Sequence, residues 1–254
     1  MSTDNPSILS RVLRGTEWCE LGSYLSPTFF DVVSPLRVAT TLGKLTKTMV
    51  TRAGYDAACE ALNASLAAAD VLVKAVSAAE FAALDAPTAR SDGDLVLRLY
   101  FHQLFNAPGA LLDFRCESFR RAGAGGLAWR PAPLLVAWDP AFIANIRALY
   151  RGFYDGQSAS FDQALAALGL DTAKAELIAH FGADQSAVRF DLAEFRASFH
   201  SLFAAAKAGK RQLHADFLGF GIGLVCLYEH LERLGGTFDV RAAFTAATAP
   251  KAGR

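Results

Sequence analysis

The segment from Phe217 to Tyr228 constrains the fold of this chain most, because its twelve residues include no charged side chain. A helix that is apolar on every side must be buried, either in protein or in lipid. Crossing the hydrocarbon core of a bilayer takes about 20 predominantly apolar residues. Asp216 and Glu229 end the uncharged run well short of that length. We therefore expect a buried central helix within the segment 213–234, and no membrane-spanning helix.

The same helix contains glycines, which are unfavourable in a helix interior by about 1 kcal/mol each relative to alanine. At about 100° per residue, Gly219 and Gly223 share one face with Cys226 and His230. We call this face the glycine seam, because it lets another group approach the helix backbone closely. We expect a second helix to cover it. The alternative is a flat or elongated ligand bound by these four residues, with His230 near one end.

The composition limits the class of protein. In 254 residues, 52% are hydrophobic and 20% are charged, which is sufficient for a packed core. Twenty-five basic and 25 acidic side chains cancel, so no net charge attracts nucleic acid, and nucleic-acid binding is not expected. The amino-terminal sequence lacks the pattern of a signal peptide, and the four cysteines form no CxxC pair. These features indicate a cytoplasmic protein with reduced thiols.

Apolar residues recur with the helical period of 3.6 along most of the chain. The predicted helices span about 35–52, 55–76, 95–105, 140–155, 161–168, 172–181, 191–208 and 213–234, with a last amphipathic turn at 240–244. The fold class is therefore mainly α. We predict a single globular helical domain over residues 1–254, built around the buried carboxyl-terminal helix, with an internal linker at 86–94.

Only the region from 110 to 138 departs from the helical period. In the segment 112–117, LDFRCE, apolar and charged residues alternate, which is typical of a half-buried strand. The segments 127–130 and 134–138 can return alongside it after a glycine-rich loop at 120–126. A dinucleotide-binding motif would need these glycines between a strand and a helix, whereas another strand-like segment follows. We predict a small antiparallel β-hairpin insertion over about 110–138.

The helix predicted at 140–155 carries a second group of candidate binding residues. Away from its apolar stripe, one face combines Arg147, Tyr150, Arg151 and Tyr154. Two guanidinium groups interleaved with two phenols can bind a carboxylate or a phosphate, which predicts an acidic small molecule as ligand. The alternative is a solvated face on which the long side chains cover apolar surface.

No metal site is predicted from the sequence. Glu176 and His180 lie four residues apart and share a helix face, but a second carboxylate-histidine motif is missing. His102 lies among apolar residues, which favours a core side chain. All five histidines follow residue 100, and the sequence leaves open whether they meet in space.

Motifs of catalysis are absent from the sequence, which contains no GxSxG elbow, no phosphate loop and no kinase motif. This favours a non-catalytic helical module that binds an apolar small molecule or a protein partner, a second copy of the chain included. The alternative is an enzyme with an all-helical cofactor pocket of haem-oxygenase-like architecture, in which a histidine and a glycine-bearing helix hold the cofactor. The sequence identifies no cofactor and does not decide whether the protein is an enzyme.

Overall fold

The computed structural model describes residues 32–33, 52–107, 109–182, 185 and 187–249. Helices dominate these residues, and the strands between them are each three residues long. The predicted fold class, mainly α with a small antiparallel element, is confirmed. The helix predicted over about 35–52 lies outside the described residues except for its last position.

The helices are α1 (Arg52–Ala67), α2 (Ala78–Ala82), α3 (Gly93–Asn106), α4 (Pro140–Tyr154), α5 (Ser158–Leu168), α6 (Lys174–His180), α7 (Leu192–Ala208), α8 (Phe217–Leu234) and α9 (Val240–Thr248). The strands are β1 (Val73–Ala75), β2 (Gly109–Leu111), β3 (Phe119–Arg121), β4 (Leu127–Trp129), β5 (Leu135–Ala137), β6 (Ala187–Arg189) and β7 (Thr237–Asp239). Short 3-10 turns cover 90–92, 116–118, 123–125 and 171–173.

Helix α8 is the buried central helix that its uncharged sequence predicts. Every residue from Phe217 to Tyr228 is buried. The helix contacts α3, α7 and the 3-10 turn at 116–118, so several elements share its surface. Among the described residues, no helix combines the length and the apolar character that crossing a membrane requires.

Helix α1 ends earlier than its sequence pattern predicts. It stops at Ala67, and a turn through Asp70, whose φ of 52° lies in the left-handed region, redirects the chain. Val73–Ala75 then forms β1, which pairs in parallel with β4. The predicted continuation of the helix to Val76 was wrong. The apolar residues after the turn fit the 3.6-residue period of a helix and also the two-residue period of a strand, and the structure has the strand. The two ends of β1 face the core while Lys74 is exposed, which is the period of a strand.

The region 110–138 contains antiparallel pairing, but not in the predicted strands. Strand β2 pairs with β5, and β3 pairs with β4 across the glycine-containing loop 122–126. The strand predicted at 112–117 was wrong, since these residues form an irregular segment that leads into a 3-10 turn. Asp113 and Arg115 are both buried and pair with each other. Their alternation with apolar residues therefore does not reflect alternate exposure to water.

Two amide side chains on helices complete the edges of short strands. Asn63 on α1 donates from Nδ2 to the carbonyl oxygen of Ala75 at 2.8 Å, and its Oδ1 accepts from the backbone N–H of Ala75 at 2.7 Å. Gln103 on α3 forms the same pair of bonds with Leu111: Oε1 accepts from the N–H of Leu111 at 2.9 Å, and Nε2 donates to its carbonyl oxygen at 3.3 Å. Each amide takes the place that a neighbouring strand would occupy, and so satisfies a backbone N–H and a backbone C=O.

Helices α4 and α5 approach each other at backbone distance. A Cβ atom on Gly152 would lie 2.6 Å from both the backbone nitrogen and the Cα atom of Phe161. No side chain fits there, so glycine is required for this close approach. The amino terminus of α4 is capped by Asp139, whose carboxylate accepts from the N–H groups of Ala141 and Phe142, as its sequence predicts.

Candidate functional site

The glycine seam of α8 is covered by side chains from a strand and a loop. A Cβ atom on Gly219 would lie 3.4 Å from Cγ2 of Val136 and 3.5 Å from Cζ3 of Trp138. A Cβ atom on Gly223 would lie 3.4 Å from Cδ2 of Leu112. The expectation of a covering helix was therefore wrong, because β5 and the segment after β2 pack against these glycines. The distances are those of ordinary van der Waals contact.

His230, at the far end of the seam, is fully buried, and both of its ring nitrogens are engaged. Nδ1 lies 3.0 Å from the carbonyl oxygen of Phe114, and Nε2 lies 3.1 Å from the hydroxyl oxygen of Thr88. A carbonyl oxygen only accepts, so we assign the proton to Nδ1, which leaves Nε2 to accept from Thr88. Burial lowers the pKa of His230 to about 4, and the charge of Arg233 acts in the same direction. The imidazole is therefore neutral at pH 7.

The thiol groups near the seam differ in exposure. Cys226 is fully buried, and burial raises the pKa of its thiol. It therefore stays protonated at pH 7 and has little nucleophilic character. Cys116 is half-buried, and its Sγ lies 3.4 Å from the hydroxyl oxygen of Thr88. The ligand-binding role of Gly219, Gly223, Cys226 and His230 stays a prediction.

The four candidate residues on α4 point to different surroundings. Arg147 donates from Nε to the carbonyl oxygen of Leu104 at 2.6 Å and from Nη2 to that of Ala107 at 2.8 Å. It thus caps the carboxyl end of α3. Burial and the neighbouring Arg151 lower the pKa of Arg147. Arg151 is exposed, with its guanidinium carbon 5.4 Å from the ring centre of Phe105.

The two tyrosines of this group lie in the aromatic core. Tyr150 and Tyr154 are both buried, with ring centres 6.1 Å apart. The hydroxyl oxygen of Tyr150 lies 2.8 Å from that of Tyr100, and burial raises the pKa of all three phenols. The structure therefore buries the two tyrosines in the core, whereas Arg151 is exposed and Arg147 binds the end of α3. Binding of an acidic ligand by this group stays a prediction.

A buried charged cluster is the feature that the sequence interpretation missed. The side chain of Asp113 is 1% exposed, and its Oδ1 accepts from Nε of Arg115 at 2.9 Å. Its Oδ2 accepts from the hydroxyl of Ser118 at 2.7 Å and from the N–H of Ala132 at 2.8 Å. The indole of Trp129 donates to the backbone carbonyl of Asp113. These bonds hold the irregular segment 112–118 in place against α8.

A cavity of about 290 Å³ lies between α1, the carboxyl end of α3 and the ribbon formed by β2 and β5. Its walls are Ala58, Ala61, Leu62 and Ser65 of α1, Gln103, Asn106 and Ala107 at the end of α3, and Gly109, Leu111, Leu135, Val136 and Ala137 of the ribbon. The sequence feature that corresponds to this cavity is a series of small residues on one face of α1, namely Ala58, Ala61 and Ser65. That series predicts close packing as readily as a cavity.

The sequence matches no protein-family model and no curated protein. Conclusions about function therefore rest on the geometry of the site. Within the described part of the chain, no three histidine, cysteine, aspartate or glutamate side chains come together in an arrangement that could hold a metal ion.

The β2–β5 ribbon separates the cavity from the glycine seam. The side chain of Val136 packs on Gly219, and Val136 also contributes to the cavity wall. Since side chains alternate along a strand, its neighbours Leu135 and Ala137 point to the cavity side of the ribbon. Leu111, opposite Leu135 in the register, faces the cavity with it. The ribbon thus has one face against α8 and the other against the cavity.

The cavity has a deep end and an open mouth. Leu62, Gln103 and Leu111 are buried, whereas Ala61 and Asn106 are exposed. The lining residues that the structure describes include no charged side chain and no histidine or cysteine. The cavity is therefore lined mainly by aliphatic groups, with few polar atoms.

Proposed function

We propose that this protein is a non-catalytic module that binds a small, mainly apolar molecule in the cavity between α1, α3 and the β2–β5 ribbon. The observation that carries this proposal is the cavity itself, with its volume of about 290 Å³ and its aliphatic walls. Ligand pockets typically measure about 300 to 1,000 Å³, and an apolar cavity of about 150 Å³ can hold benzene. The volume suits a compact ligand of one or two rings or a short chain.

The driving force for such binding is removal of apolar surface from water. Buried apolar surface contributes about 25 cal/mol per Å², and the deep end offers Leu62 and Leu111 as contacts. Ala58 and Ala61 leave room because their side chains are small. A ligand enters from the mouth, where Asn106 and Ala61 are exposed.

The chemistry of the lining supports binding more than catalysis. General acid-base and nucleophilic catalysis need a titratable group beside the reacting atoms. The described residues that line the cavity include no such group. The alternative of a cofactor held by His230 and the glycine seam has less support, since both ring nitrogens have protein partners and Leu112 contacts Gly223.

Filling the mouth of the cavity tests the proposal. We expect naphthalene to bind the full-length protein in isothermal titration calorimetry and to raise the melting temperature, because binding to the folded state stabilises it. The Ala61→Trp variant should lose roughly tenfold or more in affinity, since the indole occupies the mouth. Ala64→Trp, an exposed change on the same helix outside the cavity lining, is the matched control.

The two variants make the outcome specific. If naphthalene binds Ala64→Trp like the wild type and binds Ala61→Trp weakly, the cavity is the site. Equal binding by all three proteins would place the ligand elsewhere, and no binding by the wild type would contradict the proposal directly.

A further inference from the structure

The polar atoms around the cavity restrict the chemical class of its ligand. We infer that the ligand is electrically neutral and carries one hydroxyl or carbonyl group, which pairs with the side-chain amide of Gln103 at the deep end. This inference rests on the proposed function, because it concerns the same cavity.

Neutrality follows from the charges of the described lining. These lining residues carry no charged side chain, so a buried ion would lose its hydration without gaining a charged partner there. At the carboxyl end of α3, where Asn106 and Ala107 line the cavity, Arg147 binds the carbonyl oxygens of Leu104 and Ala107 and compensates the partial negative charge of the helix end. A carboxylate ligand is therefore disfavoured by the loss of its hydration alone.

Gln103 supplies the polar contact. Its side chain is fixed by Leu111, which donates to Oε1 at 2.9 Å and accepts from Nε2 at 3.3 Å. A glutamine amide has two N–H donors and two acceptor positions, so the bonds within the described part of the chain use half of them. Gln103 lines the cavity but is only 2% exposed, so contact with its remaining donor and acceptor requires a ligand that fills the deep end. A hydroxyl group can pair with both, and a carbonyl group with the donor.

Within the described lining, the two remaining polar residues, Ser65 and Asn106, are less suited to this role. The Oγ atom of Ser65 lies 2.8 Å from Nε2 of His102, so this hydroxyl already has a partner. Asn106 is exposed at the mouth and donates to the carbonyl oxygen of Ala247. Gln103 is therefore the polar group that a deeply bound ligand meets.

Three probes with the same ring system test the inference on the full-length protein: naphthalene, naphthol and naphthoate. Naphthol is neutral at pH 7 and naphthoate is an anion, so the series separates shape from charge. We expect naphthol to bind roughly tenfold or more tightly than naphthoate, because the anion loses its hydration without a partner. A single hydrogen bond to Gln103 should favour naphthol over naphthalene by about two- to tenfold.

The position of the hydroxyl is tested by the Gln103 amide itself. In the isotope-labelled protein, the side-chain amide resonances of Gln103 should shift on titration with naphthol and shift less with naphthalene. In Gln103→Met, the ratio of naphthol affinity to naphthalene affinity should fall to about one, whatever the change in naphthalene affinity itself. If that variant does not fold because Leu111 loses its partner, the amide resonances of the wild type decide the point.

The outcomes separate the two proposals. Absence of naphthalene binding would contradict the proposed function and this inference with it. Naphthalene binding accompanied by equally tight naphthoate binding, both weakened by Ala61→Trp, would leave the cavity as the site and overturn the neutral class. Unchanged Gln103 amide resonances at saturating naphthol would overturn the assigned contact.

Discussion

The hydroxyl oxygen of Thr88 lies 3.1 Å from Nε2 of His230, although 142 positions separate the two residues in the sequence. On the other side of the ring, Nδ1 lies 3.0 Å from the carbonyl oxygen of Phe114. One imidazole therefore joins three segments: the chain before α3, the irregular segment after β2, and α8. Since the ring is fully buried, this junction depends on the ring remaining neutral.

Acid should weaken the fold through His230. Burial lowers its pKa to about 4 in the folded protein, against 6.5 for an ordinary histidine. As the pH falls below about 6.5, the unfolded chain takes up this proton before the folded protein does. The free energy of unfolding should therefore be highest above that pH and fall by about 3 kcal/mol on approaching pH 4. Urea unfolding over this pH range measures the effect.

The control is His230→Gln, which replaces the titrating ring with a neutral amide. The variant should be less stable at neutral pH and should lose much of the pH dependence between about 6.5 and 4. If wild type and variant show the same slope, another group is responsible for the acid sensitivity.

Removing the charge of Asp113 should destabilise the protein strongly. Asp113→Asn removes the buried carboxylate that accepts from Arg115, Ser118 and the N–H of Ala132, and leaves Arg115 with the more exposed carboxylate of Glu117 at 3.3 Å. Breaking a buried pair costs up to about 3 to 5 kcal/mol. The comparison is Asp94→Asn, which removes a half-exposed carboxylate paired with Arg98 on the same helix and should cost less than about 1 kcal/mol. Equal effects in chemical denaturation would show that the buried cluster contributes little.

Two glycine-to-alanine changes should differ in their effect on stability. At Gly223, a methyl group meets Leu112 at an ordinary 3.4 Å, so the higher helix propensity of alanine should leave stability unchanged or raise it by up to about 1 kcal/mol. At Gly152, the methyl group would overlap the backbone of Phe161, and stability should fall by about 1 to 3 kcal/mol or more. Melting temperatures of the two variants test this directly; a lower value for Gly223→Ala would contradict it.

The two arginines of α4 should differ in their effect on stability. Arg147→Gln removes a cation that accounts for two hydrogen bonds to the end of α3, and we expect a loss of about 1 to 3 kcal/mol. Arg151→Gln affects an exposed side chain near Phe105 and should cost at most about 1 kcal/mol. Chemical denaturation of both single variants measures the difference. Equal stabilities would show that the cap on α3 is dispensable.

The features of the fold that depend on neighbouring residues in the sequence were predictable. The uncharged run forms the buried helix α8, and α4 and α7, capped by Asp139 and Asp191, begin at or within one residue of the starts predicted at 140 and 191. In each case the cause is local, because periodicity and capping act within a few residues.

The features that depend on distant partners were not predictable. The segment 112–117 resembles a strand only while Asp113 and Arg115 are assumed to face water, and their mutual pairing is a property of the folded core. Tyr150 and Tyr154 likewise share a helix face with the arginines, yet neighbouring elements bury them. The cavity is formed by three separate segments, and no spacing within one of them reveals it.

The amide side chains of Asn63 and Gln103 have a consequence for how copies of this protein behave towards each other. An unpaired strand edge is a template on which a second chain can add a strand and begin aggregation. At Ala75 and Leu111 that template is already occupied by an amide from the protein's own helices. In a crowded solution, these two edges therefore offer no backbone donor or acceptor at Ala75 and Leu111 to another molecule.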